Sequence, residues 1–117
     1  MALRVEHSKK ALEFFIRMSN EGKHFSVLSI FCSVLDNTRS ILQYRKHPDN
    51  VMDIYHTEVP VEHQGKGIAK VLVNEAFQYA AENNMKILPT CTYVDRFARK
   101  FANDEQKRIV LPLDSHL

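Results

Sequence analysis

Residues 56 to 70 read HTEVPVEHQGKGIAK, and they indicate more about structure and function than any other segment of the chain. A run that favours β-structure, Val51 to Val59, stops at Pro60, and a short loop with Gly65 and Gly67 then opens an amphipathic helix. Glycines let the backbone turn tightly and approach a ligand closely. The free N–H groups of a helix's first turn attract an anion, and the helix dipole adds to this attraction. The stretch therefore predicts a phosphate-binding loop.

The spacing of this loop separates it from two common glycine motifs. A P-loop needs a hydroxyl residue after its Gly-Lys pair, and the dinucleotide motif needs a third glycine; both are missing after Gly65. The pattern that fits is Gln/Arg-x-x-Gly-x-Gly/Ala, supplied by Gln64, Gly67 and Ala69. It resembles the acetyl-CoA pyrophosphate loop of the GNAT acetyltransferase superfamily. An ordinary helix start with a Gly-Lys-Gly turn is the alternative.

The flanking motifs are similar to those of one GNAT subfamily, the short stand-alone N-acetyltransferase domain-containing proteins. The shared motifs are HTEVP at residues 56–60, GKGIAK at residues 65–70 and TCTYV at residues 90–94. Weaker similarity lies in RVEH and FFIRM near the N-terminus. The three motifs are specific together, although each alone would not be.

This resemblance implies a fold and an activity. The fold is α/β (α+β), a minimal GNAT-like acyl-CoA N-acyltransferase fold, with a mixed sheet, one parallel βαβ pair and flanking helices in a single domain over residues 1–117. The implied function is binding of acetyl-CoA, as cosubstrate and without a metal, and acetyl transfer to an unknown amine, either directly or through a cysteine. The alternative is a non-catalytic module that binds or senses CoA or acetyl-CoA.

The resemblance also implies which residues hold the donor. The thioester and pantetheine would lie beside Glu58 and Val59, where two parallel strands separate. The pyrophosphate would lie against the backbone of the loop, formed by Gln64, Gly65, Lys66, Gly67, Ile68, Ala69 and Lys70. The charges of Lys66 and Lys70 either reach phosphate or belong to a solvated helix face.

Cys91 and His56 are the candidate catalytic residues. The resemblance implies a cysteine and a histidine at these positions, and a nearby histidine can raise the thiolate fraction of a cysteine. The alternative is a buried strand cysteine beside a hydrogen-bonded core histidine. Tyr93 is either a general acid or, as we favour, a core aromatic, and Glu58 either a base or a structural residue.

The N-terminal half predicts two strand pairs. Glu13–Met18 and His24–Ile30 should form a hairpin around Asn20 and Gly22, and Ile41–Lys46 should pair with Val51–Val59 across the turn sequence HPDN. The segment Ser29–Ile41 lies outside the matched motifs, so we expect it to be a peripheral insertion. Within it, Cys32 is expected to be a small buried hydrophobe.

The C-terminal half predicts a strand–helix–strand unit followed by a helix. Apolar residues recur at helical spacing from Gly67 to Asn83, where a left-handed cap can end the helix. Met85–Val94 reads as a parallel strand that carries Cys91 and Tyr93 on one face. Asp95 is the expected N-cap of the last helix, which places Phe97 and Phe101 one turn apart.

Composition indicates an ordinary globular protein. The 117 residues are 44% hydrophobic and 26% charged, and the net charge of +2 gives no indication of nucleic-acid binding. Two distant cysteines favour neither a disulfide framework nor a zinc site, and no apolar segment is long enough to span a bilayer. We expect a cytoplasmic protein with access to the nucleus; oligomeric state and acceptor cannot be read. The other histidines (His7, His24, His47, His63 and His116) are expected at the surface.

Overall fold

The chain forms a mixed five-stranded sheet with helices packed on one of its faces. The structure is a computed structural model that describes residues 4–17 and 39–112. The strands are β1 (Glu6–Ser8), β2 (Glu13–Arg17), β3 (Arg39–His47), β4 (Val51–Glu58) and β5 (Lys86–Leu88). The helices are α1 (Ile68–Glu82), α2 (Thr92–Lys100) and the short α3 (Asp104–Arg108). The strand order follows the chain, and only the β4–β5 pair is parallel. This confirms the predicted fold class.

The HPDN turn joins β3 and β4 as predicted. Asp49 and Asn50 both adopt positive φ angles, 67° and 60°, which suits a tight hairpin because Asn and Asp tolerate the left-handed region. His47 pairs with Val51 directly across this turn. The hairpin therefore sets the register of the two longest strands.

Helix α1 follows the predicted boundaries closely. Gly67 is its N-cap with φ 76°, and Asn83 is its C-cap. Asn84 then takes φ 57°, and the Met85 N–H donates to the Ala80 carbonyl at 2.7 Å. A left-handed asparagine thus ends the helix and turns the chain into β5.

The core lies between one face of the sheet and helices α1 and α2. The core residues of β2, β3 and β4 are every second residue of each strand, as the period of two requires. They pack against the apolar stripe of α1 and the inner side of α2. The main members are Phe14, Ile16, Leu42, Tyr44, Met52, Ile54, Leu72, Val73, Ala76, Phe77, Ile87, Val94 and Phe97.

The predicted strand Met85–Val94 was wrong in its second half. Strand β5 ends at Leu88, because Pro89 follows it and lacks the N–H group that a ladder requires. Helix α2 begins at Thr92 with Cys91 as its N-cap, so Asp95 lies inside the helix and is not its cap. The Phe101 backbone N–H then closes the helix on the Phe97 carbonyl at 2.8 Å.

In the described residues, β2 pairs with β1 on one edge and with β3 on the other. The predicted hairpin partner, His24–Ile30, lies outside the described residues. Arg39–Ile41, the end of the expected insertion Ser29–Ile41, belongs to β3, and Ser40 there is fully buried. The rest of that segment, with Cys32, lies outside the described ranges.

Candidate functional site

The loop before α1 has the backbone geometry of an anion-binding site. Gly65 and Gly67 have φ angles of 84° and 76°, which only glycine adopts without strain. The first helical hydrogen bond runs from the Val71 N–H to the Gly67 carbonyl at 3.2 Å. The N–H groups of Ile68, Ala69 and Lys70 therefore have no acceptor within the helix. The first turn also carries no acidic residue that would neutralise its positive dipole end.

The space in front of the two glycines is open. A Cβ atom built on Gly65 or Gly67 would meet nothing within 4 Å. Packing within the chain therefore does not require glycine at these two positions. Their positive φ angles do favour glycine there. The open space leaves the backbone accessible to a ligand, which fits the predicted pyrophosphate.

Side chains tie this loop to the end of β4. The Gln64 Nε2 donates to the Val59 carbonyl at 3.1 Å, and Lys66 Nζ lies 3.4 Å from His63 Nδ1. His63 sits in a 3-10 turn, Val61–His63, and is buried, which contradicts its expected surface position. The burial of His63 and the hydrogen bond from Gln64 to Val59 hold the loop against the end of β4.

Strand β5 ends opposite the middle of β4, which continues to Glu58. Their parallel pairing covers Val51–Asp53 and Lys86–Leu88, and the Cys91 N–H makes one further bond to the Ile54 carbonyl at 2.8 Å. Within the described ranges, no strand pairs with β4 on this side after that bond. The edge of β4 that the prediction assigned to the donor, beside Glu58 and Val59, is therefore unpaired on this side.

A bulge in β4 decides which side chains face the helices. Tyr44 pairs with Ile54 and Gln43 pairs with His56, so Tyr55 is an extra residue without a partner. Directly opposed residues of an antiparallel pair share a face. His56 therefore shares a face with Gln43, away from the helices, whereas Thr57 shares the helix face with the buried Leu42.

The structure accordingly does not bring His56 and Cys91 together. His56 Nε2 lies 3.3 Å from Glu58 Oε1 on the face away from the helices. The Cys91 Sγ instead lies 3.0 Å from Thr57 Oγ1, and the thiol is half-buried at the N-terminus of α2. Thr57 was not singled out in the sequence, because the bulge that turns it towards Cys91 leaves no signature in the residue types.

Tyr93 lies in the first turn of α2 and packs partly against the core. Burial raises the pKa of its phenol above the usual value of 10.0. The phenol consequently keeps its proton at neutral pH. The residue combines the core role that we favoured with the protonation state that a general acid requires.

A buried carboxylate supports the start of α2 from the other face of the sheet. Asp53 on β4 accepts a hydrogen bond from the Thr90 hydroxyl and lies 2.8 Å from His47 Nε2. Thr90 immediately precedes Cys91, whose own N–H bonds to β4. Two connections therefore fix the backbone of Cys91 relative to β4. His47 itself is exposed, as predicted.

Two negative findings complete the description of the site. In residues 4–17 and 39–112, no group of three or more His, Cys, Asp or Glu side chains could hold a metal ion. The helices described there are also too short or too polar to cross a membrane.

The comparisons with known proteins agree with this geometry. Residues 30–107, more than half of the chain, match the family model described as GCN5-related N-acetyl-transferase. Protein NATD1 of Danio rerio is 33% identical over 98 residues, which cover 84% of this chain and 76% of that protein. The human Protein NATD1 is 30% identical over 98 residues, covering 84% and 74%.

A solved structure is similar over nearly the whole chain. It is the solution NMR structure of a Staphylococcus aureus protein provisionally described as a GCN5-like N-acetyltransferase. The TM-score is 0.65 at 24% identity, and the match covers 97% of this chain and 93% of that one. At 24% identity, this similarity supports the assignment of the fold alone. With the family model and the two relatives, it confirms the resemblance seen in the motifs: this chain belongs to the GCN5-related N-acetyl-transferase family.

Proposed function

We propose that the protein binds acetyl-CoA in the gap between β4 and β5 and transfers the acetyl group to an amine. One observation carries the proposal: the two positive-φ glycines open α1 beside the edge of β4 that β5 leaves unpaired. An anion site and a free strand edge lie next to each other. A thioester that ends in a pyrophosphate can occupy both at once.

The backbone provides most of the donor site. The N–H groups of Ile68, Ala69 and Lys70 are available to the pyrophosphate, and the free edge of β4 near Glu58 and Val59 is available to the pantetheine amides. Backbone donors of this kind are fixed before the ligand arrives and need little reorganisation. The proposed donor site therefore depends on chain conformation more than on particular side chains.

The direct route needs an amine and a proton donor. The amine nitrogen attacks the thioester carbon and the CoA sulfur leaves; the amine loses a proton and the sulfur gains one. The gap lies in the plane of the sheet, so both faces border it. In this route the exposed Glu58 carboxylate, beside His56 on one face, accepts the amine proton, and the protonated Tyr93 donates a proton to the leaving sulfur.

The covalent route uses Cys91. Its sulfur attacks the thioester carbon, CoA leaves as a thiol, and an amine then attacks the new thioester and restores the cysteine. Thr57 Oγ1, at 3.0 Å from the sulfur, takes the place that we expected His56 to hold.

A second candidate, a CoA-binding module without turnover, is favoured by the separation of His56 from Cys91. A module of this kind needs the loop and the open strand edge but no aligned catalytic pair. The two candidates therefore share the donor site and differ in the fate of the acetyl group.

Incubation with acetyl-CoA labelled in its acetyl group separates these possibilities. Calorimetric titration measures binding, intact mass measurement detects an acetylated chain, and a panel of amines detects release of free CoA thiol. Binding with thiol release that depends on an amine supports the enzyme. Binding without any thiol release supports the module, and no binding at all contradicts both.

A further inference from the structure

Phe101 presents an aromatic ring to solvent at the end of α2. The residue is 55% exposed, whereas Phe97, one turn earlier, is 1% exposed and belongs to the core. The two ring centroids are 6.2 Å apart. Phe101 thus stands at the border of the core, with more than half of its surface open.

Lys70 connects this ring to the anion-binding loop. Its ammonium lies 4.8 Å from the centroid of the Phe101 ring, a cation–π distance. Lys70 is in the first turn of α1, where the positive end of the helix dipole disfavours a cation, and that turn has no acidic residue. The position of this charge is therefore poorly suited to helix stability and well suited to binding an anion.

The two residues extend the proposed donor site in a direction that fits a nucleotide. A ligand that follows the loop outward would meet a cation and then an exposed aromatic ring. Phosphate is recognised by the first, and the π-face of a nucleobase stacks on the second. The chemistry indicated is a base and a phosphate on one ribose, next to a pyrophosphate.

We propose that Phe101 stacks against the adenine of CoA and that Lys70 pairs with the phosphate on its ribose. This inference rests on the proposed function. It adds which residues distinguish a free CoA thioester from a pantetheine arm attached to a carrier protein, since the carrier-bound arm has no adenine. Phe101 and Lys70 are then specificity residues for the donor.

Three ligands test the proposal by calorimetric titration: CoA, dephospho-CoA, which lacks the ribose phosphate, and 4′-phosphopantetheine, which lacks the adenosine. Phe101→Leu keeps an apolar side chain but removes the ring, and is expected to weaken CoA about tenfold while leaving phosphopantetheine unchanged. Lys70→Gln is expected to weaken CoA about fivefold and to leave dephospho-CoA unchanged. Each variant's melting temperature confirms that it folds.

Matched controls come from residues that take no part in the Lys70–Phe101 contact. Val61→Ala alters the other large hydrophobic residue that is exposed in the described ranges, and Lys86→Gln alters a lysine paired with Val51 at the far end of β4. Neither should change CoA affinity. If wild-type protein binds CoA and Phe101→Leu binds it equally well, or loses CoA and phosphopantetheine alike, the inference is wrong while the proposed function stands. If wild-type protein binds none of the three ligands, both are wrong.

Discussion

Thr57 Oγ1 lies 3.0 Å from Cys91 Sγ, and this contact joins β4 to the start of α2 where β4 and β5 have stopped pairing. Thr57 is on the helix face because Tyr55 is an extra residue in the strand. The chemistry available in the gap therefore depends on a local irregularity of the backbone as well as on the motif residues.

Gly67→Val should weaken CoA and acetyl-CoA binding by about 2 kcal/mol, roughly thirtyfold, because a branched side chain enters the open space in front of the backbone. Because valine must adopt the positive φ of Gly67, the substitution should also lower the free energy of unfolding by about 1–2 kcal/mol. Asn84→Val places the same side chain at a positive φ at the other end of α1 and serves as the control. Equal CoA affinity in wild-type protein and folded Gly67→Val would remove the site from this loop.

Cys91→Ala should abolish any acetyl adduct detected by intact mass after exposure to acetyl-CoA, and CoA binding should persist. Thr57→Val keeps the side-chain shape but removes the hydroxyl beside the sulfur, and is expected to slow adduct formation about fivefold. Cys32→Ala is the matched control and should change neither property. An adduct that persists in Cys91→Ala, or its absence from wild-type protein during turnover, would leave only the direct route.

Asp53→Ala should lower the free energy of unfolding by about 2–3 kcal/mol, because it leaves Thr90 and His47 without their buried partner. Glu58→Ala breaks the other histidine–carboxylate pair of the same strand. That pair is exposed on both sides, so the change should stay within about 0.5 kcal/mol. Urea denaturation of the two variants measures both values, and similar losses would mean that Asp53 does not organise the start of α2.

Stability should fall as the pH drops below about 6.5, in part because of His7. Burial, aided by the charges of Lys9 and Lys46, lowers the pKa of His7 below its usual 6.5. The unfolded chain therefore takes up a proton before the folded chain does. The stability that neutral His7 contributes is fully present above pH 6.5 and is lost as the pH falls towards the lowered pKa of His7 in the folded chain.

The ring of His7 stacks on that of Phe14, with the two centroids 4.1 Å apart. His7→Phe keeps an aromatic ring at this position but cannot titrate. The slope of unfolding free energy against pH between 5 and 7 should be smaller in this variant than in wild-type protein. Identical slopes would contradict the assignment. His7 also lies 2.6 Å from the hydroxyl of Tyr44, whose pKa burial raises to about 12, so this pair is neutral at pH 7.

The sequence predicted best where residue chemistry restricts the backbone directly. Gly67 at the start of α1 and Asn84 just after its end tolerate the positive φ angles found there, and Asp49 with Asn50 gives the β3–β4 turn for the same reason. The strand at β5 was predicted too long, although Pro89 was a visible stop signal.

The candidate site and the partial burial of His7, which we expected at the surface, were predicted less completely, because both depend on tertiary structure. Period-two alternation counted from Ile54 places His56 on the helix face, and the bulge at Tyr55 reverses that result. The burial of His7 depends on β1, which pairs with β2 over only three residues and carries no strong pattern. Composition and spacing contain no information on either feature.

The extra residue in β4 also affects how relatives of this chain should be aligned. A single insertion or deletion between Ile54 and Thr57 moves every later side chain of the strand to the opposite face of the sheet, while the sequence of the motif stays the same. Two homologues that share HTEV can thus offer opposite side chains to the donor. A gap placed one column away in an alignment would assign the wrong residue to the reaction, so this strand is better matched by its cross-strand partners in β3 than by its letters.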